Sequence, residues 1–234
     1  MATWWRCHRR RSACSGAASS PKARDLSPLL KPGSIAIVGA SSRAESLAGR
    51  PLANLQRQRY AGAIYPINPQ REEVAGLPCY PSIAALPDTP DLALIVAPNQ
   101  HVLPALEACA ERGVRAAIVI SSGFAEIDAD GLAQQRRMAE IARGAGMVLL
   151  GPNSIGALNF VDFIPLSFTS SEDMDERKTG RIAIVSQSGG LMGSLANRAY
   201  GAGVGLSYGV ATGNEADLTV VEALEWLADE GLSD

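Results

Sequence analysis

Ser34-Ile-Ala-Ile-Val38, followed by Gly39-Ala-Ser-Ser-Arg43, is an unbroken apolar run that ends in a glycine and a cluster of small polar residues. A run of this length without polar alternation reads as a strand buried on both faces, with the glycine at its exit. The same pattern recurs along the chain. Ala63–Ile67 leads into the turn signal Asn68-Pro69, and Asp91–Ala97, Arg115–Ile120 and Met147–Leu150 are further apolar runs. Helical stretches separate them over about 47–59, 101–112 and 130–143; the second closes at Gly113 and the third near Gly144. Strands without alternation, divided by helices, predict an α/β domain with a doubly wound parallel sheet over 26–155.

Residues 156–179 interrupt this rhythm with Pro165 and a long polar run, and they are expected to connect two domains. The alternation then restarts: strand Arg181–Val185, helix 190–200, strand Val204–Val210, helix 217–230. Two βα units alone make a poor parallel core. The segment 180–234 is therefore expected to be the first part of a second α/β domain, completed by a partner or, preferably, by more chain.

The composition fits this plan. With 234 residues, 47% of them hydrophobic and 19% charged, the chain can bury one large core or two small ones. No apolar stretch approaches the ~18–20 residues that span a bilayer, so no membrane is expected as a partner. Residues 1–24 hold six basic side chains and no acid, which leaves −9 on the rest of a chain whose net charge is −3. An acidic body argues against nucleic acid. The segment 1–25 has the composition of a disordered basic tail or a mitochondrial-type transit segment, and it lacks the apolar run of a secretory signal. Cys7, Cys14, Cys79 and Cys109 show no metal-binding spacing, so no metal is expected and a reducing, cytoplasmic setting is the simplest reading.

Ligands of open parallel sheets sit beyond the carboxyl ends of the strands. Four loops there are rich in small residues: Gly39–Arg43, Ser121–Gly123, Gly151–Ser154 and Ser186–Gly190. Small residues let backbone N–H groups approach an anion, and a helix N-terminus adds a favourable dipole. The ligand is not read as a dinucleotide, because after Gly39 the next glycine is Gly49 and G-x-G-x-x-G fails. No G-x-x-x-x-G-K-[ST] sequence occurs. Ser188 stands at a strand-to-helix turn, but Ser186 occupies the first glycine of a G-x-S-x-G elbow. No histidine follows His101, which removes the serine-hydrolase reading. Arg71, just past the Asn68-Pro69 turn, could pair with a phosphate or stand solvated.

Seven collinear motifs carry a family resemblance: Ser34–Ser42, Tyr65–Pro69, Leu94–Ala97, Ile118–Glu126, Leu150–Gly156, Ile184–Leu191 and Gly209–Asp217. Together they resemble the NDP-forming acyl-CoA synthetases, namely the succinyl-CoA synthetase α subunit and the ADP-forming acetate–CoA ligases. The resemblance implies a Rossmann-like CoA-binding domain followed by the start of a flavodoxin-like ligase domain. Carried over by position, Gly39, Ala40, Ser41, Ser42 and Arg43 would hold CoA, with Arg71 where succinyl-CoA synthetases place a CoA-contacting lysine. Ile120, Ser121 and Ser122 fill another CoA-contacting segment, although the succinyl enzymes carry Thr-Glu where Ser121-Ser122 stand. Ser154 replaces a cysteine common in relatives. Ser186, Gln187, Ser188 and Gly189 match the helix start that receives phosphate from a phosphohistidine, which this chain is expected to lack. The resemblance further implies a small carboxylic acid as substrate, ATP/ADP and Mg²⁺ in the complete acid–thiol ligase, an ATP-grasp domain or subunit, and an oligomer. Two other readings are a CoA-binding regulatory module fused to an acetyltransferase, and a CoA-binding protein without catalysis.

Overall fold

In the chain's computed structural model, residues 24–169 and 179–231 are described; the expectations for the basic tail before residue 24 lie outside them. A short helix α1 (Ser27–Leu30) leads into β1 (Ser34–Val38). There follow α2 (Arg50–Arg57), β2 (Ala63–Ile67), a small hairpin of β3 (Glu73–Val74) and β4 (Leu77–Pro78), β5 (Leu92–Ile95) and α3 (Val102–Arg112). β6 (Ala116–Val119), α4 (Ala129–Gly144) and β7 (Val148–Leu150) complete the first lobe. Its five strands lie in the order β2-β1-β5-β6-β7, every pair parallel, as the apolar runs predict.

Strand residues alternate between two cores because successive side chains leave a pleated strand on opposite faces. Ile35, Ile37, Leu92, Leu94 and Ile118 enter one cluster, whereas Ala36, Ala93, Ile95, Ala117 and Val119 enter another with Leu106 of α3 and Met138 of α4. Helix starts and stops follow local chemistry. The carboxylate of Asp128 caps α4 by accepting from Gly131 N–H, and Gly113 ends α3 in the left-handed conformation.

The segment expected only to connect domains contains two strands. β8 (Gly156–Asn159) and β9 (Ile164–Ser167) are buried at every position and pair antiparallel with each other. β8 also pairs antiparallel with β11 (Leu206–Ala211), which pairs parallel with β10 (Thr179–Ser186), giving the order β10-β11-β8-β9. Pro165 is tolerated because β9 is an edge strand, where a missing ladder donor costs little. The second sheet is therefore more than two βα units. α5 (Gly189–Gly201) packs on one face through Met192 and Ala196. On the other face Leu166, Tyr208 and Val210 join the core that contains Leu29 of α1, Leu55 of α2 and Trp226 of α6 (Val220–Glu230). That cluster also holds one face of the first sheet, so the two lobes share this hydrophobic core.

Candidate functional site

The first lobe leaves β1 in mid-sheet, adds β2 on one side, and then crosses to β5 on the other. The β1 and β5 exits therefore diverge at a topological switch point, where open α/β sheets leave a crevice for ligands. Gly39–Arg43 borders this crevice. The structure divides that loop in two. Gly39 and Ala40 N–H both donate to the Ile67 carbonyl, at 3.0 and 3.2 Å, and the Ala40 side chain is fully buried. These two residues hold the turn, and their amides are not available to an anion as the sequence reading assumed. Ser41, Ser42 and Arg43 are the part that faces outward; Ser41 is half-buried, and Ser42 and Arg43 are exposed.

Arg71 reaches the same edge through Asn68, whose side-chain Nδ2 donates to the Ala40 carbonyl at 3.0 Å and whose own carbonyl accepts from Arg71 N–H at 3.2 Å. Arg43 and Arg71 are both exposed, and neither guanidinium has an ion-pair partner among the described residues. Two such cations on loops that Asn68 joins would suit a ligand with separated phosphates. Ile120, Ser121 and Ser122 lie at the β6 exit. Ile120 is buried and Ser121 Oγ donates to the Ala97 carbonyl at 2.5 Å, while Ser122 is exposed. Asn99, beyond β5, donates its side-chain amide to the Gly123 carbonyl and so joins these two exits.

The second candidate edge is the start of α5. Ser188 is its N-cap: the hydroxyl accepts from Leu191 N–H at 3.2 Å, and Ser188 N–H donates to Ser186 Oγ at 3.1 Å. A Cβ on Gly189 would sit 2.4 Å from Ile155 Cγ2, so the helix can start this close to the β7 exit only with glycine there. An open cavity of about 650 Å³ lies against this turn, lined by Ser186, Gln187, Ser188 and Leu191 on one side and Glu215, Thr219, Val220 and Val221 on the other. Glu215 is the one ionisable group of that lining among the described residues. Its backbone has φ 54°, and its carboxylate accepts from Thr212 Oγ1 at 2.9 Å and Val220 N–H at 3.0 Å. His101 is exposed in the turn Asn99–His101 ahead of α3, in the first lobe.

Ser154, by contrast, is internal. It is buried, and its hydroxyl donates to the Ala211 carbonyl and accepts from Gly156 N–H at 2.8 Å. Here it joins β7's exit to β11. Sequence reasoning missed Glu126, Gln135, Asn214 and Glu215. Asn214 and Glu215 lie within the Gly209–Asp217 motif, and a polar Asn-Glu pair after a glycine at a strand exit is the signal that marks them.

The family model for the CoA binding domain matches residues 33–159. The chain belongs to the CoA binding domain family. The model for the succinyl-CoA ligase like flavodoxin domain matches residues 179–232, starting at β10. Among curated proteins, a trans-feruloyl-CoA synthase from an unknown prokaryotic organism is 38% identical over 208 residues, which are 88% of this chain and 29% of that protein. The ADP-forming acetate–CoA ligase II subunit alpha of Pyrococcus furiosus is 33% identical over 87% of this chain and 43% of its own length. A solved dinucleotide forming acetyl-coenzyme A synthetase 1 from Ca. Korarchaeum cryptofilum, in complex with phosphate and ADP, superposes with a TM-score of 0.83 at 34% identity. It covers 90% of this chain and 44% of that one. The resemblance to acyl-CoA synthetases is borne out, and the chain spans less than half the length of these relatives.

Proposed function

We propose that this CoA-binding-family chain is the CoA-binding portion of an ADP-forming acyl-CoA synthetase, an acid–thiol ligase that works through an acyl phosphate. The observation that carries the reading is that Arg43 and Arg71, both exposed and without an ion-pair partner among the described residues, stand on two loops that Asn68 joins, with the outward-facing Ser41 and Ser42 on the first. CoA is assigned to these four residues and to the Ile120–Ser122 segment, with Gly39 and Ala40 shaping the turn. Phosphate is assigned to the Ser186–Gly189 turn, whose first-turn N–H groups and dipole suit an anion. ATP or ADP, Mg²⁺, an ATP-grasp partner, a small carboxylic acid, a cytoplasmic setting and an oligomeric assembly belong to the same proposal. The phosphate must be carried between sites by a group other than His101, which stands apart from the α5 start.

Arg71→Ala tests the CoA edge. Loss of a charge-assisted contact costs roughly 1.5–3 kcal/mol, about tenfold or more in Kd. CoA should weaken more than dephospho-CoA if Arg71 meets the ribose phosphate, and both should weaken alike if it meets the pyrophosphate. Unchanged binding of both ligands would return Arg71 to the solvated surface. The activity itself is tested by mass spectrometry of thioester formed from ATP, Mg²⁺, CoA and short carboxylic acids. The 234-residue chain should form none until the downstream family segment with its phosphohistidine and the ATP-grasp domain are supplied. Thioester formed by the chain alone would contradict the reading.

A further inference from the structure

The loop that follows β11 touches both candidate edges, and its hydrogen bonds divide between them residue by residue. Thr212 N–H donates to the Ser186 carbonyl at 2.9 Å and Gly213 N–H to the Gln187 carbonyl at 3.2 Å, both at the phosphate turn. Asn214 N–H then donates to the Pro152 carbonyl at 2.9 Å and Ala216 N–H to the Gly151 carbonyl at 3.0 Å, both at the exit of β7 in the first lobe. A Cβ on Gly213 would meet the Pro152 carbonyl oxygen at 2.4 Å, so the change of partner occurs where only glycine fits.

Asn214 is the centre of this junction. Its side-chain amide donates to the Glu126 carboxylate and to Gln135 Oε1 at 3.0 Å, and its Oδ1 accepts from Asn153 Nδ2 at 3.2 Å. Its carbonyl accepts from Gln135 Nε2 at 3.3 Å. The partners lead straight to the proposed CoA edge. The other oxygen of Glu126 accepts from Gly123 N–H at 2.6 Å, and Asn153 N–H donates to the Ser121 carbonyl at 2.9 Å. The next residue after Asn214 is Glu215, which lines the cavity at the α5 start. Two hydrogen bonds thus join Gly123 to Asn214 through Glu126, and a third, from Gly213 N–H, joins the loop to Gln187.

We propose that Asn214 is a positioning residue that couples the two edges, so that CoA on the first lobe and phosphate on the second bind cooperatively. The inference rests on the assignment of those two edges made above. Its physical basis is linkage. A ligand that orders 121–123 favours the docked form of the 212–216 loop. A phosphate at the α5 start, ordering 186–188, favours the same docked form, and each ligand thereby favours the other. Asn suits this role because one short side chain supplies two donors and an acceptor, and here all are used.

The test is a calorimetric CoA titration of the full chain in chloride buffer and again with excess inorganic phosphate at matched ionic strength. Phosphate should tighten CoA by roughly fivefold or more in the wild type. Asn214→Ala should bring the ratio close to one. A variant that merely loosened the structure would weaken CoA in both buffers and leave the ratio alone. If Asn214→Ala fails to fold, as judged by circular dichroism, Glu126→Ala decides, because Glu126 is exposed and outside the core. No CoA binding in chloride would sink the assignment of the edges, and this coupling with it. CoA binding with a wild-type ratio near one, or a ratio retained in the folded variant that decides, would overturn the coupling alone.

Discussion

Leu92-Ala-Leu-Ile95 in β5 and Ile182-Ala-Ile-Val185 in β10 are both four-residue apolar runs in parallel pairings, yet all of the first is buried and none of the second is. β5 lies between β1 and β6 with a hydrophobic cluster on each face. Among the described residues β10 has a ladder partner on one side only, β11, and Ile182 is 49% exposed. An apolar run therefore reports that a strand forms, while its lateral neighbours decide how much free energy it contributes. The same contrast extends to the helices: Leu106 of α3 is fully buried, whereas Leu191 and Leu195 of α5 are exposed.

A matched pair of truncations separates the two strands most widely. Leu94→Ala, in the centre of β5, should cost about 2–5 kcal/mol, whereas Ile182→Ala in β10 should stay within about 0.5 kcal/mol. Urea unfolding of both variants measures the difference. Equal losses would mean that β10 is covered in solution.

Asp217 stands at the seam between the lobes. Its carboxylate is buried and accepts from Leu149 N–H at 3.1 Å, from Arg24 at 2.8 Å and from Arg143 at 3.3 Å. With Leu218 N–H donating to the Leu149 carbonyl at 3.0 Å, the 216–218 segment covers the free edge of β7. β10 has no such cover among the described residues. Asp217→Ala should destabilise by roughly 1.5–3 kcal/mol, because a buried N–H and two cations lose one acceptor group. Asp217→Asn, which keeps an acceptor, should lose less than half of that by thermal unfolding.

The smallest effect expected is a pH dependence at Glu126. Partial burial pushes its carboxyl up, but the hydrogen bonds from Gly123 N–H and the Asn214 amide outweigh it and hold the group below the ordinary glutamate value. A carboxyl depressed in the folded state contributes stability that is complete above its unfolded pKa and is lost as pH falls through the folded one. The protection factors of the 212–216 amides, which correct for the intrinsic pH dependence of exchange, should therefore stay high at neutral pH and fall in acid. Glu126→Gln should flatten this profile, and an identical profile in the variant would remove Glu126 from the junction.

Much of the fold was legible because buried parallel strands are written as runs without alternation, and Ala63–Ile67 is found where the sequence placed it. β8 and β9 were not legible. Each is four residues long, β9 carries Pro165, and their partner β11 lies far along the chain, so only tertiary pairing reveals them. The candidate site was legible as loops of small residues but not in its donors. Sequence cannot tell that Gly39 and Ala40 already donate to Ile67, nor that Asn214, a polar loop residue like many solvated ones, bridges two lobes.

If the first lobe holds CoA at the β1/β5 switch point, isothermal titration of the chain with CoA, NAD and ADP will separate the three ligands. Saturable binding of CoA, with NAD giving no heat because the loop after Gly39 lacks the spacing for a dinucleotide pyrophosphate, is the predicted result. Saturable binding of NAD without CoA would contradict the account.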